Sequence, residues 1–202
     1  MKKILIIFGA LAFSTAVAAA ASLSKSYSYF TIGGSTLSQI EEQLKSRGPQ
    51  LDSTGQRHPG ATSMEFKTKI DYSDSNGWCR IAKAEVGLKA AVTLPRWRAE
   101  RQAKQDVRLI WNILERDIKR HEESHIIIAK NHARELEASL RALPRKRECA
   151  ELQSVAEATT QRLLAKHDAA QLKFDRIEAI NFESRLMRLL DYRLEQMERA
   201  AR

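Results

Sequence analysis

Residues 111–140, WNILERDIKRHEESHIIIAKNHARELEASL, decide how the second half of this 202-residue chain folds. Val107, Trp111, Leu114, Ile118, His121, His125, Ile128, His132, Leu136 and Leu140 follow one another at spacings of three or four, the signature of one helix face turned toward a core. Positions four apart share a face, so His121 and His125 can reach one metal ion while Glu122 points about a quarter turn away, toward a bound water. His121-Glu122-Glu123-Ser124-His125 is thus the HExxH pattern of zinc hydrolases, a metal site and a general base in one turn. A buried imidazole needs a partner for each ring nitrogen, and a metal on one with an acceptor on the other supplies both. Ordinary core packing is the competing reading and the better one for a lone histidine. His132 is such a case: it lies about 10 Å along a straight helix, too far to share the ion. No glycine between Ile126 and Asn131 turns the chain to bring it closer.

Working outward, the helix is expected to run from about Arg98 to Leu143 and to break at Pro144, with a second helix beginning near Cys149 and continuing toward the C-terminus. The second helix has its own stripe of Leu163, His167, Ala170, Phe174 and Ile177. Folded back as a hairpin about Lys146, the pair would place Ala169 to Gln171 near His121 and His167 near His125. The segment from Phe182 to Arg202, with Leu186, Leu190, Leu194 and Met197 among arginines and glutamates, has the pattern of an amphipathic helix able to contact a partner.

The preceding half has strand periodicity. Ser26 to Ile32 is strand-like, Gly33-Gly34 is a turn, and Thr36 with Gln39 makes a capping box opening a short helix that runs to Lys45 and stops before Gly48-Pro49. A polar loop carrying His58 follows. Met64, Phe66, Thr68, Ile70 and Tyr72 alternate with charged residues, and Asn76-Gly77 turns the chain into a long strand. Ala82, Ala84, Val86, Leu88, Ala90, Val92 and Leu94 form the apolar face of that strand, which Pro95 is expected to end. The fold class is therefore α+β: a small antiparallel sheet with one short helix, packed on a long helix bearing the motif and a second long helix. Residues 22–202 form a single domain, with an α+β part over 22–96 and a helical hairpin over 97–202.

Lys2 and Lys3, an apolar run from Ile4 to Phe13 and small residues from Ala16 to Ala21 have the form of an export signal over residues 1–21, cleaved after Ala20 or Ala21. An uncleaved anchor is the alternative, disfavoured by the weakly apolar alanine-rich half. Export to a periplasmic or extracellular space suits the even cysteine count. A Cys79–Cys149 disulfide would close a loop of about 70 residues, worth about 4 kcal/mol in the chain-entropy model. Cleavage removes two lysines and no acid, taking the formal charge from +9 to +7. Such a surface favours acidic envelope components or acidic polypeptides as partners. Nucleic acid is excluded as a partner by the export signal and the lack of a binding module.

Tyr27-Ser28-Tyr29-Phe30 with Gly33 and Thr36, Gly48-Pro49, Cys79, Thr93-Leu94-Pro95-Arg96-Trp97, Trp111, the HEESH motif, Ala129 and Cys149 together resemble the DUF922 family of bacterial proteins, described as predicted secreted zinc-dependent proteases. The resemblance implies a small sheet packed on an active-site helix, zinc on His121 and His125, and activated water beside Glu122; with that chemistry a peptide or protein is the expected substrate. Two positions depart from the family pattern. Ser124 stands where a glycine is usual. The family tends to have a Tyr-Asp pair and then a His-Gly, where this chain has Phe174-Asp175 and Ile180-Asn181. Catalytic zinc ordinarily takes three protein ligands plus water. His167, from the hairpin geometry, is the provisional third ligand; Asp175, from the resemblance, competes with it, and Asp168 stands behind both. Two functions remain open: a zinc peptidase in which an extended substrate adds to the strand from Ala82 to Leu94 if that strand is a sheet edge, or a degenerate, non-catalytic envelope binding protein that keeps the fold.

Overall fold

The computed structural model describes residues 22–50 and 55–200, and the expected export signal lies outside them. The chain runs β1 (Leu23–Ile32), α1 (Leu37–Arg47), β2 (Ala61–Ser75), β3 (Trp78–Trp97), α2 (Gln105–Arg141) and α3 (Cys149–Ala200), an α+β arrangement. Thr36 caps α1 through the expected box with Gln39. Asn76 and Gly77, with φ of 54° and 70°, make the tight β2–β3 turn.

The sheet is mixed rather than wholly antiparallel. Its order is β1-β3-β2, with β2 antiparallel and β1 parallel to β3. The α1 crossover brings β2 back antiparallel to β1 in direction, and β3, the most apolar strand, then inserts between them and buries both edges. Consequently the strand from Ala82 to Leu94 is central and offers no edge for strand addition.

Pro95 does not end β3, which continues to Trp97. The pairing explains why. The Leu88 N–H faces the β1 side, donating to the Ser22 carbonyl, so even-numbered residues there point toward β1 and Pro95 points toward β2. The β2 ladder stops at Ala61 opposite Thr93, so proline's missing N–H costs no bond. A register shift between Asp71 and Tyr72 switches the alternation. Ala82, expected on the inner face, is therefore exposed, while Cys79 is fully buried.

Beyond the reach of β1, the same flank of β3 is closed by α2 and the connection after it. Glu137 accepts from the Val86 N–H at 3.1 Å, Arg141 donates to the Ala84 carbonyl at 3.0 Å, and Lys146 exchanges two backbone bonds with Cys79. The Cys79–Cys149 disulfide, with Cα atoms 5.1 Å apart, fastens the start of α3 at that end.

The helix α2 begins at Gln105, later than Arg98, because the Arg98 N–H still bonds the Ile32 carbonyl and the chain must first turn a corner at Glu100–Ala103. Its buried residues form two adjoining stripes. Ile118, Glu122, Ile126, Ala129 and Ala133 are the deeply buried ones, while His121, His125 and His132 are half-buried. A helix packed on both a sheet and another helix needs an arc this wide. The glutamate rather than the histidines thus occupies the deepest position.

Candidate metal centre

His121 and His125 face α3, and their Nε2 atoms lie 3.1 Å apart. Asp175 of α3 brings Oδ1 to 3.1 Å from the His125 Nε2 and 3.4 Å from the His121 Nε2. Ligands about 2.0–2.1 Å from a tetrahedral zinc stand about 3.3–3.4 Å from one another. The three atoms therefore make a triangle of the size one face of a zinc tetrahedron requires, leaving a fourth direction for water. Two imine nitrogens and a carboxylate oxygen meeting this closely repel unless a cation or shared protons sit among them. Among the described residues, His121, His125 and Asp175 are the group able to hold a metal ion.

Electrostatics fit that donor set. Burial opposes ionisation of Asp175, but hydrogen bonds and positive potential from His121 and His125 outweigh it and hold the carboxyl well below its usual range. Burial pulls the His125 pKa down, and Asp175 and Gln171 pull it up further, so the ring ends above its ordinary value.

Glu122 is only 4% exposed. Its Oε2 accepts from the Thr62 hydroxyl at 2.8 Å, anchoring it to β2. Burial raises its pKa; Thr62, His121 and His125 oppose this, and Asp175 adds to it. The carboxylate is thus more basic than a solvated one, as a proton acceptor beside a metal-bound water should be. Glu123, the other motif glutamate, instead pairs with Lys25 at 2.8 Å and the Tyr27 hydroxyl, tying α2 to β1.

The provisional third ligand, His167, is not part of the triangle. It is buried, its Nδ1 is 3.0 Å from Asp168 Oδ1, and its Nε2 meets the Gln171 side chain at 2.8 Å. Gln171 in turn reaches the His125 Nδ1 at 2.7 Å. The helices are therefore offset by about one turn from the expected register, with Gln171 rather than His167 opposite His125 and Asp175 beside both histidines. The cause is the strand-like segment around Lys146, which carries the chain past the end of α2 to Cys79 before α3 begins. His132 donates to its own helix, with Nδ1 2.9 Å from the Ile128 carbonyl.

Phe174 lies against both motif imidazoles, its centroid 5.0 Å from each ring. Below it Glu178 approaches the His121 Nδ1 at 3.6 Å and pairs with Arg120 and Arg185. Arg185 also grips Asp117 with two bonds, at 3.0 and 3.1 Å. Ile180, at the family's His-Gly position, is 76% exposed and away from the triangle. The sequence offers His167 and Asp175 as alternatives, but the apolar stripe of α3 hides the polar one that joins them to Gln171 and Glu178. His167, Gln171, Asp175 and Glu178 recur at spacings of four, four and three, the period expected of residues facing the histidines.

A family model described as a bacterial protein of unknown function (DUF922) matches residues 27–182. No curated protein and no solved structure matches the chain.

Proposed function

The chain belongs to the DUF922 family, and from that premise we propose that it is an exported zinc-dependent peptidase. The observation that carries this reading is the convergence of both HExxH imidazoles and Asp175 at tetrahedral spacing, with the Glu122 carboxylate beside them. A bound zinc would polarise the scissile carbonyl and lower the pKa of its water toward neutrality. Glu122 would serve as the proton carrier, accepting a proton from the attacking water and returning it to the departing amine nitrogen as the C–N bond breaks. Thr62 holds the glutamate in place. Of the two edge strands, β2 is the one whose Thr62 touches Glu122, and an extended substrate would add there.

Export is supported by the disulfide, since such bonds persist in oxidising compartments. Among the described residues no helix is long and apolar enough to cross a membrane. A second reading, a metal-binding envelope protein without turnover, is favoured by the burial of Glu122, which restricts its access to a substrate.

One experiment separates the two. Purified mature protein is expected to bind about one zinc per chain and to cleave peptides, and Glu122→Gln to keep the metal and lose the cleavage. Zinc without cleavage in the wild type selects the binding protein. No zinc after reconstitution removes both.

A further inference from the structure

The side chains behind His125 form a chain whose hydrogen-bond directions are fixed by one backbone atom. The Gln171 amide has one end 3.1 Å from the His125 carbonyl oxygen. Two carbonyl oxygens at that distance would repel, so this end is the NH2 group and the other is Oε1. The Oε1 lies 2.7 Å from the His125 Nδ1, which must therefore carry a hydrogen, and in the neutral ring Nε2 is then left with its lone pair facing His121 and Asp175. The same NH2 group lies 2.8 Å from the His167 Nε2, which must accept. The His167 hydrogen is thus on Nδ1, 3.0 Å from the Asp168 carboxylate. Every donor in the row from Asp168 to His125 meets an acceptor, and reversing any one member sets two like groups against each other.

Packing holds this row still. Phe66 of β2 packs edge-on against the His167 ring with centroids 4.9 Å apart, and the Met64 sulfur lies 3.6 Å from the Gln171 nitrogen. Both Gln171 and His167 are more than nine-tenths buried, so water cannot readily take the place of either partner.

We propose that Gln171, oriented by His167 and Asp168, is the positioning residue that locks His125 in the Nδ1–H tautomer and presents its Nε2 to the metal. This rests on the zinc reading for its purpose, but the hydrogen on the His125 Nδ1 is set by Gln171 whether or not a metal is bound. The tautomer is also informative, because Nδ1–H is the less favoured form of a free histidine side chain.

The test is nitrogen-15 NMR of histidine-labelled, metal-free protein at a pH where both rings are neutral, followed by titration with zinc and with cobalt as a spectroscopic probe. His125 and His167 are both expected as Nδ1–H. Gln171→Leu should release His125 into a mixture of tautomers and weaken metal binding about 10- to 100-fold, the usual loss when the partner of a ligating histidine is removed. Gln171→Glu offers the His125 Nδ1 an acceptor but gives neither His167 nor the His125 carbonyl a donor. It should retain the hydrogen on the His125 Nδ1 and bind metal more tightly than Gln171→Leu while switching His167 to Nε2–H, a change no merely structural role predicts. His125 as Nε2–H in the wild type, or unchanged tautomers in Gln171→Leu, overturns the proposal. If Gln171→Leu does not fold, the wild type and Gln171→Glu still decide it. Failure of wild-type protein to bind either metal defeats the zinc reading and leaves the tautomer result standing on its own.

Discussion

Gly60 is glycine because Glu122 fills the space a side chain would need. A Cβ there would fall 2.8 Å from the Glu122 Oε1 and 3.0 Å from the Ile118 Cγ2, and both neighbours are buried. Gly60→Ala should therefore cost about 1–3 kcal/mol in urea unfolding, and on the proposed peptidase reading should lower activity by displacing the carboxylate; unchanged stability would show that the loop yields freely. Asp117 gives a pH prediction. Burial resists its ionisation, but bonds from Arg185 and Arg120 win and leave its pKa below the ordinary value. A carboxyl depressed in the folded state contributes stability that is complete above its unfolded pKa, about 4, and is lost as pH falls through the lower folded value. Asp117→Asn should accordingly be least stable relative to wild type near neutrality, with the gap closing below about pH 4; a gap independent of pH would contradict the ion-pair account.

At the scale of elements, the sheet depends on α2 for more than apolar cover. Glu137, 6% exposed, takes the Val86 N–H that β1 is too short to reach, and Arg141 pairs with it at 2.8 Å while bonding Ala84. Glu137→Leu would leave that buried N–H unpaired, at about 1–3 kcal/mol, whereas Glu137→Gln keeps an acceptor and should lose less; equal losses would mean that the side chain's packing, not its bond to the strand, matters. The same residue marks where sequence periodicity runs out. The Thr36 capping box and the Asn76-Gly77 turn are local signals, present in the fold where the sequence places them, and the strand alternation holds from Ala84 to Leu94. The parallel β1–β3 pairing, the bulge that turns Ala82 outward and the one-turn offset of α3 are products of long-range docking. The candidate metal centre divides along the same line. His121, Glu122 and His125 lie within one turn and are read from their spacing, whereas the choice of Asp175 over His167 depends on where Cys149 is anchored, 70 positions from its partner cysteine.

Across the whole molecule, α3 is held at both ends of its packed part by means other than apolar packing, to β3 at its start and to α2 further along. At one end the disulfide closes its 70-residue separation and fixes the register that brings Asp175 to the histidines. Its loss should cost about 4 kcal/mol by loop entropy. At the other end Arg185 holds Asp117. Past Arg185 the helix continues to Ala200 with Met187, Tyr192, Leu194 and Met197 exposed, so that stretch adds little to the core. Two truncations separate these contributions. A chain ending after Met187 keeps Arg185 and should unfold close to the full-length midpoint with its metal affinity intact. One ending after Ile180 removes Arg185, leaving Asp117 with Arg120 as its remaining partner and Glu178 with one guanidinium fewer beside His121. It should lose about 1.5–3 kcal/mol, the range for a hydrogen bond to a charged group, and on the proposed zinc reading bind the metal more weakly. Indistinguishable unfolding of the two truncations would show that Arg185 is dispensable to the helix pair; a large loss already at Met187 would assign the exposed tail a stabilising role that its burial does not predict.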